Sequence, residues 1–230
     1  MIKSEIVTDI FFDLDHTLWD FERNSAATFR SALSTLDLNL RVDDFMEKYN
    51  PINHYYWKFY RENKITTLEL RYLRLEKTFE ALGVSVTNQM ISKLSDAYID
   101  ELSTHTHLFE GTQSLLDYLK KNYSLHIITN GFDKVQQKKI RNAGLEAYFK
   151  VVLTAEAAGV KKPHPAIFNK AIEMAETKSV QSLMIGDSFE ADIEGALKLG
   201  MQAIHFNSHD ENHHDKCPIV YHLDEIKQYL

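Results

Sequence analysis

Cysteine is nearly missing from this sequence. Cys217 is the only one in 230 residues, so no internal disulfide can form, and a reducing compartment is the default. Proline and glycine are sparse, at 4 and 8 residues, which excludes a Pro/Gly-rich linker or low-complexity tract, and no internal repeat is evident. No apolar run approaches the ~18 residues of a membrane-spanning helix. The opening residues, MIKSEIVTDIFF, mix acidic and polar groups into the apolar ones, so no signal peptide is expected. Positive charge is not in excess: 26 Lys and Arg face 33 Asp and Glu, a net −7. That balance argues against general affinity for nucleic acid polymers or anionic membranes. A secreted scaffold, a membrane protein and a disordered chain are thereby excluded as first readings, and a cytoplasmic protein is expected. A chain this long suits one large domain, or a core domain with an insertion, and should bury about 70–75% of the surface its unfolded form exposes.

What is present is an alternation of periods. Residues 6–12 are β-branched and aromatic and run into Asp13, which reads as a buried strand ending there. From about residue 21 to 102 the apolar residues fall at helical spacing (Ala26, Phe29, Leu33, Leu36, then Leu68, Tyr72, Leu75, Phe79, Leu82) with little strand signal. Asn50-Pro51 and Gly83 are expected to punctuate this block as turns between helices. After Phe109 short apolar runs (125–129, 151–153, 183–185, 201–206) alternate with helical stretches (111–122, 133–142, 166–176, 190–199). Strands and helices joined by short connections predict a doubly wound α/β domain with a parallel sheet. The expected division is a Rossmann-like core of residues 1–18 and 106–230, interrupted by an all-helical insertion of residues 19–105.

Ligands of an open α/β sheet sit outside the carboxyl ends of its strands. The residues expected there are Asp13-Leu14-Asp15-His16-Thr17, then Thr129-Asn130-Gly131, then Lys161-Lys162-Pro163, then Gly186-Asp187-Ser188, with Asp192 beyond. In extended geometry Asp13 and Asp15 share one face while Leu14 points away. Two adjacent carboxylates repel and need a cation for both to ionise, and an oxygen-rich cluster without neighbouring His or Cys ligands favours Mg²⁺. One carboxylate suits nucleophilic attack on phosphorus, and a second suits proton transfer. Thr129, Asn130 and the amides near Gly131 precede a helix start, a favourable place for a phosphoryl group. Lys162 supplies fixed positive charge where negative charge gathers. Ser188 is expected to cap the next helix, Asp192 to lie in its first turn, and Thr17 to cap a turn or serve the site. Each string alone is an ordinary turn or cap; their joint order at successive strand ends is what points to a site.

These four segments, in this order and with a helical insertion between the first two, resemble the haloacid dehalogenase-like (HAD) superfamily of hydrolases. The resemblance covers nearly the whole chain. It implies Asp13 as nucleophile and Asp15 as general acid/base, with Thr129 and Asn130 on the phosphate and Lys162 neutralising charge. It further implies Mg²⁺ held by Asp13, the backbone carbonyl of Asp15 and Asp187, with Asp192 supporting the metal's water shell or Lys162. Because Asp15 is present, phosphate ester hydrolysis is favoured over carbon–halogen cleavage. The stretches Ile128-Thr129-Asn130-Gly131-Phe132 and Gly159-Val160-Lys161-Lys162-Pro163, with a looser likeness at 53–57, are similar to the pyrimidine 5′-nucleotidase group. The substrate implied is a small phosphorylated metabolite, a nucleoside 5′-monophosphate first. Phosphatases of sugar phosphates share the same core motifs, and a phosphosugar mutase shares the acyl-phosphate chemistry.

A phospho-receiver module also gathers acids, a Thr or Ser and a Lys-Pro around Mg²⁺. Its phosphorylated Asp follows a middle strand, and it needs no helical insertion of this size. Within that insertion Tyr55, Tyr56, Trp57, Phe59 and Tyr60 crowd one helix, and most are expected in its core, with one left to meet substrate. His209, His213 and Cys217 stand at four-residue spacing and suggest zinc, but residues 207–218 read better as a solvated loop. His16 lies inside the first motif, with a structural role and a hydrogen-bonding role both open.

Overall fold

The computed structural model describes residues 2–36, 38 and 40–230. Its chain divides into two compact units, Met1–Phe21 with Thr106–Leu230, and Glu22–His105. No helix among the described residues is long and apolar enough to cross a membrane.

The first unit is built on six parallel strands: β1 Asp9–Phe12, β2 Ser124–Thr129, β3 Phe149–Thr154, β4 Ser182–Gly186, β5 Gln202–Phe206 and β6 Ile219–Val220. Their spatial order is β3-β2-β1-β4-β5-β6, the doubly wound arrangement expected. The helices are α5 Thr112–Leu119, α6 Asp133–Asn142, α7 Ala155–Ala158, α8 Pro165–Met174 and α9 Gly195–Leu197, numbered after four in the other unit. β1 is wholly buried because β2 and β4 flank it and both faces are covered, which is why it reads as a continuous apolar run. Phe11, Ile128, Leu153 and Met184 point to one face and pack with Ile167, Phe168 and Ala171 of α8, Ala196 of α9 and Met201.

The first strand starts later than residue 6. Ser4–Ile6 form a 3₁₀ turn, and the ladder begins where β2 and β4 themselves begin, pairing Asp9 with Ser124 and Ser182. The helix expected over 190–199 is a π-helical turn, Phe189–Glu194, followed by the short α9. Gly195, directly after this turn, stands so close to Phe168 that a Cβ would meet its ring at 2.7 Å.

The second unit holds α1 Phe21–Ser34, α2 Val42–Arg61, α3 Thr67–Ala81 and α4 Asn88–Leu102; α1 starts one residue before it. Gly83 ends the α3 segment with φ +67°, as its turn role requires. Asn50-Pro51 does not end a helix: Pro51 lies inside α2. Phe45, Met46, Tyr49, Asn53 and Tyr60 bury one face of α2 on both sides of the proline, and that packing outweighs the hydrogen bond the proline cannot donate. The core is aromatic but uses other rings than expected. Phe29, Phe45, Tyr49, Phe79 and Tyr98 fill it, and Tyr98 stacks on Phe29 at 4.4 Å. Of the 55–60 cluster only Tyr60 is buried, and Tyr55 is 54% exposed. Five rings spread over six successive helical positions point around the axis and cannot share one face.

Candidate active site

Strand order reverses about β1: the chain winds outward through β2 and β3, then crosses to β4 on the other side. A crevice therefore opens beyond the carboxyl ends of β1 and β4, and Asp13 and Asp187 each follow one of these strands directly. Carboxylate oxygens of Asp13, Asp187 and Asp192 all lie within 4.8 Å of one another. The Lys162 ammonium stands in their midst, 2.6 Å from Asp13 Oδ1, 2.6 Å from Asp192 Oδ1, and donating to the Ile128 carbonyl at 2.7 Å. Asp192 thus supports Lys162, one of the two roles open to it.

Burial dominates the electrostatics here. It pushes the Asp13 carboxyl well above its ordinary range, with Asp192 and Asp187 adding to the rise and Lys162 opposing it. Burial likewise raises Asp192 against the pull of Lys162. Burial also disfavours charge on Lys162, but Asp13 and Asp192 more than offset it and hold the ammonium protonated. Asp187 resists burial through a hydrogen bond from His209 and the positive fields of His16, His209 and Lys162, and is lowered. Three buried carboxylates against one ammonium leave negative charge uncompensated, and an all-oxygen donor set of this kind fits a hard divalent cation.

The surrounding groups interlock. Thr17, fully buried, lies in a turn and donates to Asp187 Oδ1 at 3.2 Å. Ser188 Oγ caps Ala191 N at 3.2 Å, and Ser188 N donates to Asp192 Oδ2 at 3.1 Å. Gly186 leaves room for that carboxylate, since a Cβ there would fall 2.3 Å from Asp192 Oδ2. Asn130 clasps the backbone of Lys162 from both sides, accepting from its N–H at 2.8 Å and donating to its carbonyl at 3.1 Å. Thr129 Oγ1 accepts from Gly131 N at 3.1 Å and from Gln136 Nε2 at 2.7 Å, which leaves its own proton to donate.

Two participants, Gln136 and Lys139, escaped the sequence reading, and two histidines stand where it did not place them. Gln136 and Lys139 of α6 both reach Asp15, at 2.9 and 2.5 Å. Their signal was helical spacing in an otherwise polar helix: Val135 and Ile140 are its only large apolar residues, and Gln136 and Lys139 fall beside them on the inward face. His205 of β5 donates through Nε2 to the Asp187 carbonyl at 2.8 Å. His209 lies 3.5 Å from Asp187 Oδ2 and edge-on to His16, whose pKa burial lowers to about 4. Residues 207–218 contain no helix or strand, yet they are not simply solvated, since His209 and the buried Asn207 lean inward. No His213–Cys217 ligand group forms among the described residues, and burial pushes the Cys217 thiol up to about 11.

The family model for haloacid dehalogenase-like hydrolases matches residues 10–206. The chain is 33% identical to the pyrimidine 5′-nucleotidase YjjG of Escherichia coli K12, with 96% of each chain covered. It is 28% identical to the pyrimidine 5′-nucleotidase PynA of Streptococcus pneumoniae, covering 96% of this chain and 92% of that one. The crystal structure of the HAD-hydrolase YfnB of Bacillus subtilis bound to magnesium superposes with a TM-score of 0.86, at 27% identity and over 96% and 97% of the two chains. With its motifs in order around one buried acidic cluster, the chain belongs to the haloacid dehalogenase-like hydrolases.

Proposed function

We propose that this chain is a Mg²⁺-dependent phosphatase that cleaves phosphate monoesters through an aspartyl-phosphate on Asp13, with nucleoside 5′-monophosphates as substrates, pyrimidine ones foremost. The observation that carries the reading is the uncompensated negative charge of Asp13, Asp187 and Asp192 around a single buried lysine. Such a cluster demands a cation, and a site so neutralised accepts a phosphoryl dianion. Asp13 and Asp187, with the Asp15 backbone carbonyl, would hold the metal, which supplies charge neutralisation when bound.

Asp13 attacks phosphorus in line, and the ester oxygen leaves with a proton from Asp15. Asp15 then deprotonates the water that hydrolyses the acyl phosphate, splitting one displacement into two. Lys162 stays charged throughout, its ammonium fixed by Asp192 and its backbone by Asn130. The Thr129 hydroxyl and the Asn130 amide receive phosphoryl oxygens, and Gly131, whose N–H is bonded to Thr129 Oγ1, holds that hydroxyl in place. These residues engage only the phosphoryl group, so ester choice is assigned to the helical unit. The nucleotide preference is supported by the names of YjjG and PynA.

Phosphate release from a panel of nucleotides and sugar phosphates, with Mg²⁺ and with chelator, tests both parts. Turnover should vanish with chelator, peak on pyrimidine monophosphates, and fall below about a thousandth of wild type in Asp13→Asn. Undiminished activity in chelator overturns the metal, and preference for a hexose phosphate overturns the substrate.

A further inference from the structure

Asp15 carries the proton in the proposed reaction, yet neither of its carboxylate oxygens is left to solvent alone. Oδ1 is 2.5 Å from Lys139 Nζ, and Oδ2 accepts from Gln136 Nε2 at 2.9 Å. Both donors are buried, and both come from one face of α6, three residues apart. Their own positions are constrained. The Lys139 ammonium sits over the Trp19 ring at 4.0 Å and near the Phe21 ring at 5.3 Å. The Gln136 amide is shared with Thr129 Oγ1 at 2.7 Å. Gly131 is what admits that amide, because a Cβ there would fall 2.3 Å from Gln136 Nε2. A buried lysine is expensive unless paired, and here the pairing is with Asp15 in a fork completed by a neutral donor.

We propose that Lys139 and Gln136 are positioning residues that fix the orientation of the Asp15 carboxylate for proton transfer and tie it to the phosphate-binding Thr129. The inference rests on the acid/base role of Asp15. Gln136 links two functions that must meet at one ester oxygen, since Thr129 orients the phosphoryl group and Asp15 serves the leaving group. An acid held to one orientation loses little freedom as the transition state forms, whereas an untethered one must be ordered in each turnover. The chemistry therefore depends on Lys139 and Gln136 only when the leaving group needs a proton.

The test compares kcat/KM for an alkyl phosphate, such as a nucleoside monophosphate, with that for p-nitrophenyl phosphate, whose phenolate departs without protonation. Because kcat/KM reports the steps through ester cleavage, later hydrolysis of the acyl phosphate does not mask the comparison. Lys139→Met should lower the alkyl value about 10–100-fold and Gln136→Met about 3–10-fold, with the aryl value changed less than threefold; Lys139→Arg should recover most of the loss. In an Asp15→Asn background, neither substitution should lower the rate further. Equal losses on both esters, or losses that add to that of Asp15→Asn, overturn the positioning role. If Asp15→Asn itself lowers both esters alike, the acid role of Asp15 fails, and this inference falls with it. Should Lys139→Met not fold, as judged by circular dichroism, the Gln136→Met comparison carries the same outcomes.

Discussion

His126 shows how one buried side chain can tie stability to acidity without touching the site. It lies fully buried on β2, stacked on Phe11 at 4.6 Å, with Nε2 2.9 Å from Asp9 Oδ1 and no hydrogen-bond partner for Nδ1 among the described residues. Burial lowers its pKa below 6.5 despite Asp9, so the folded chain resists the proton that the unfolded chain accepts. Burial would raise Asp9, but hydrogen bonds from Thr8, His126 and Thr177 outweigh it and hold that carboxyl below 3.8. Both shifts make the unfolded state the better proton acceptor. The His126 contribution is full above pH 6.5 and falls away below it, and that of Asp9 follows as pH drops under 3.8. Urea unfolding at pH 7.5, 6 and 5 should show wild type losing more stability, or gaining less, than His126→Gln as pH falls; parallel slopes in the two proteins would refute the assignment. Gly131 makes a second point at this scale. Its sequence context suggests amides for phosphate, but its lack of a side chain also makes room for Gln136. Gly131→Ala should lower kcat/KM on an alkyl phosphate by about 3–10-fold, as loss of the Gln136 amide does, because the amide it displaces links Asp15 to Thr129.

Helices and strands follow local rules until packing overrides them. The start of α3 is set locally: Thr66 Oγ1 accepts from Glu69 N at 3.2 Å and the Glu69 carboxylate accepts from Thr66 N at 2.8 Å, a capping box. Thr66→Ala should destabilise the protein by about 1 kcal/mol in chemical denaturation. Pro51 is the opposite case, a residue read as a breaker that α2 absorbs because its buried face continues on both sides. Pro51 is exposed, so Pro51→Ala should stabilise by about 2 kcal/mol. That is the ~3 kcal/mol helix penalty reduced by the chain entropy the proline removes from the unfolded state. An equal or lower denaturation midpoint would show that α2 bends to suit the proline. Strand interiors were legible from apolar runs, whereas the start of β1 depended on where its two neighbours begin.

For the molecule as a whole, the acidic cluster sets a balance between stability and ligand binding. Three carboxylates around one lysine should destabilise the metal-free fold, and a cation that binds only the folded state should restore it, by about 2.7 kcal/mol at a hundred times its dissociation constant. Calorimetric melting should therefore rise with added Mg²⁺, whereas Asp187→Asn, which removes a metal-holding carboxylate, should respond little to it. An Asp187→Asn protein whose melting rises with Mg²⁺ as wild type does would argue against the site. The sequence by itself determined the alternation of strand and helix, the helical insertion and the order of the acidic and phosphate-compatible segments. Those features are carried by apolar spacing and by residue types next to one another in the chain. Only the tertiary structure decided that Lys162 stands between Asp13 and Asp192, that α6 grips Asp15, and that β5 holds the Asp187 backbone through His205. Each of those contacts joins residues far apart in sequence, and burial, which no local pattern states, gives them their electrostatic weight.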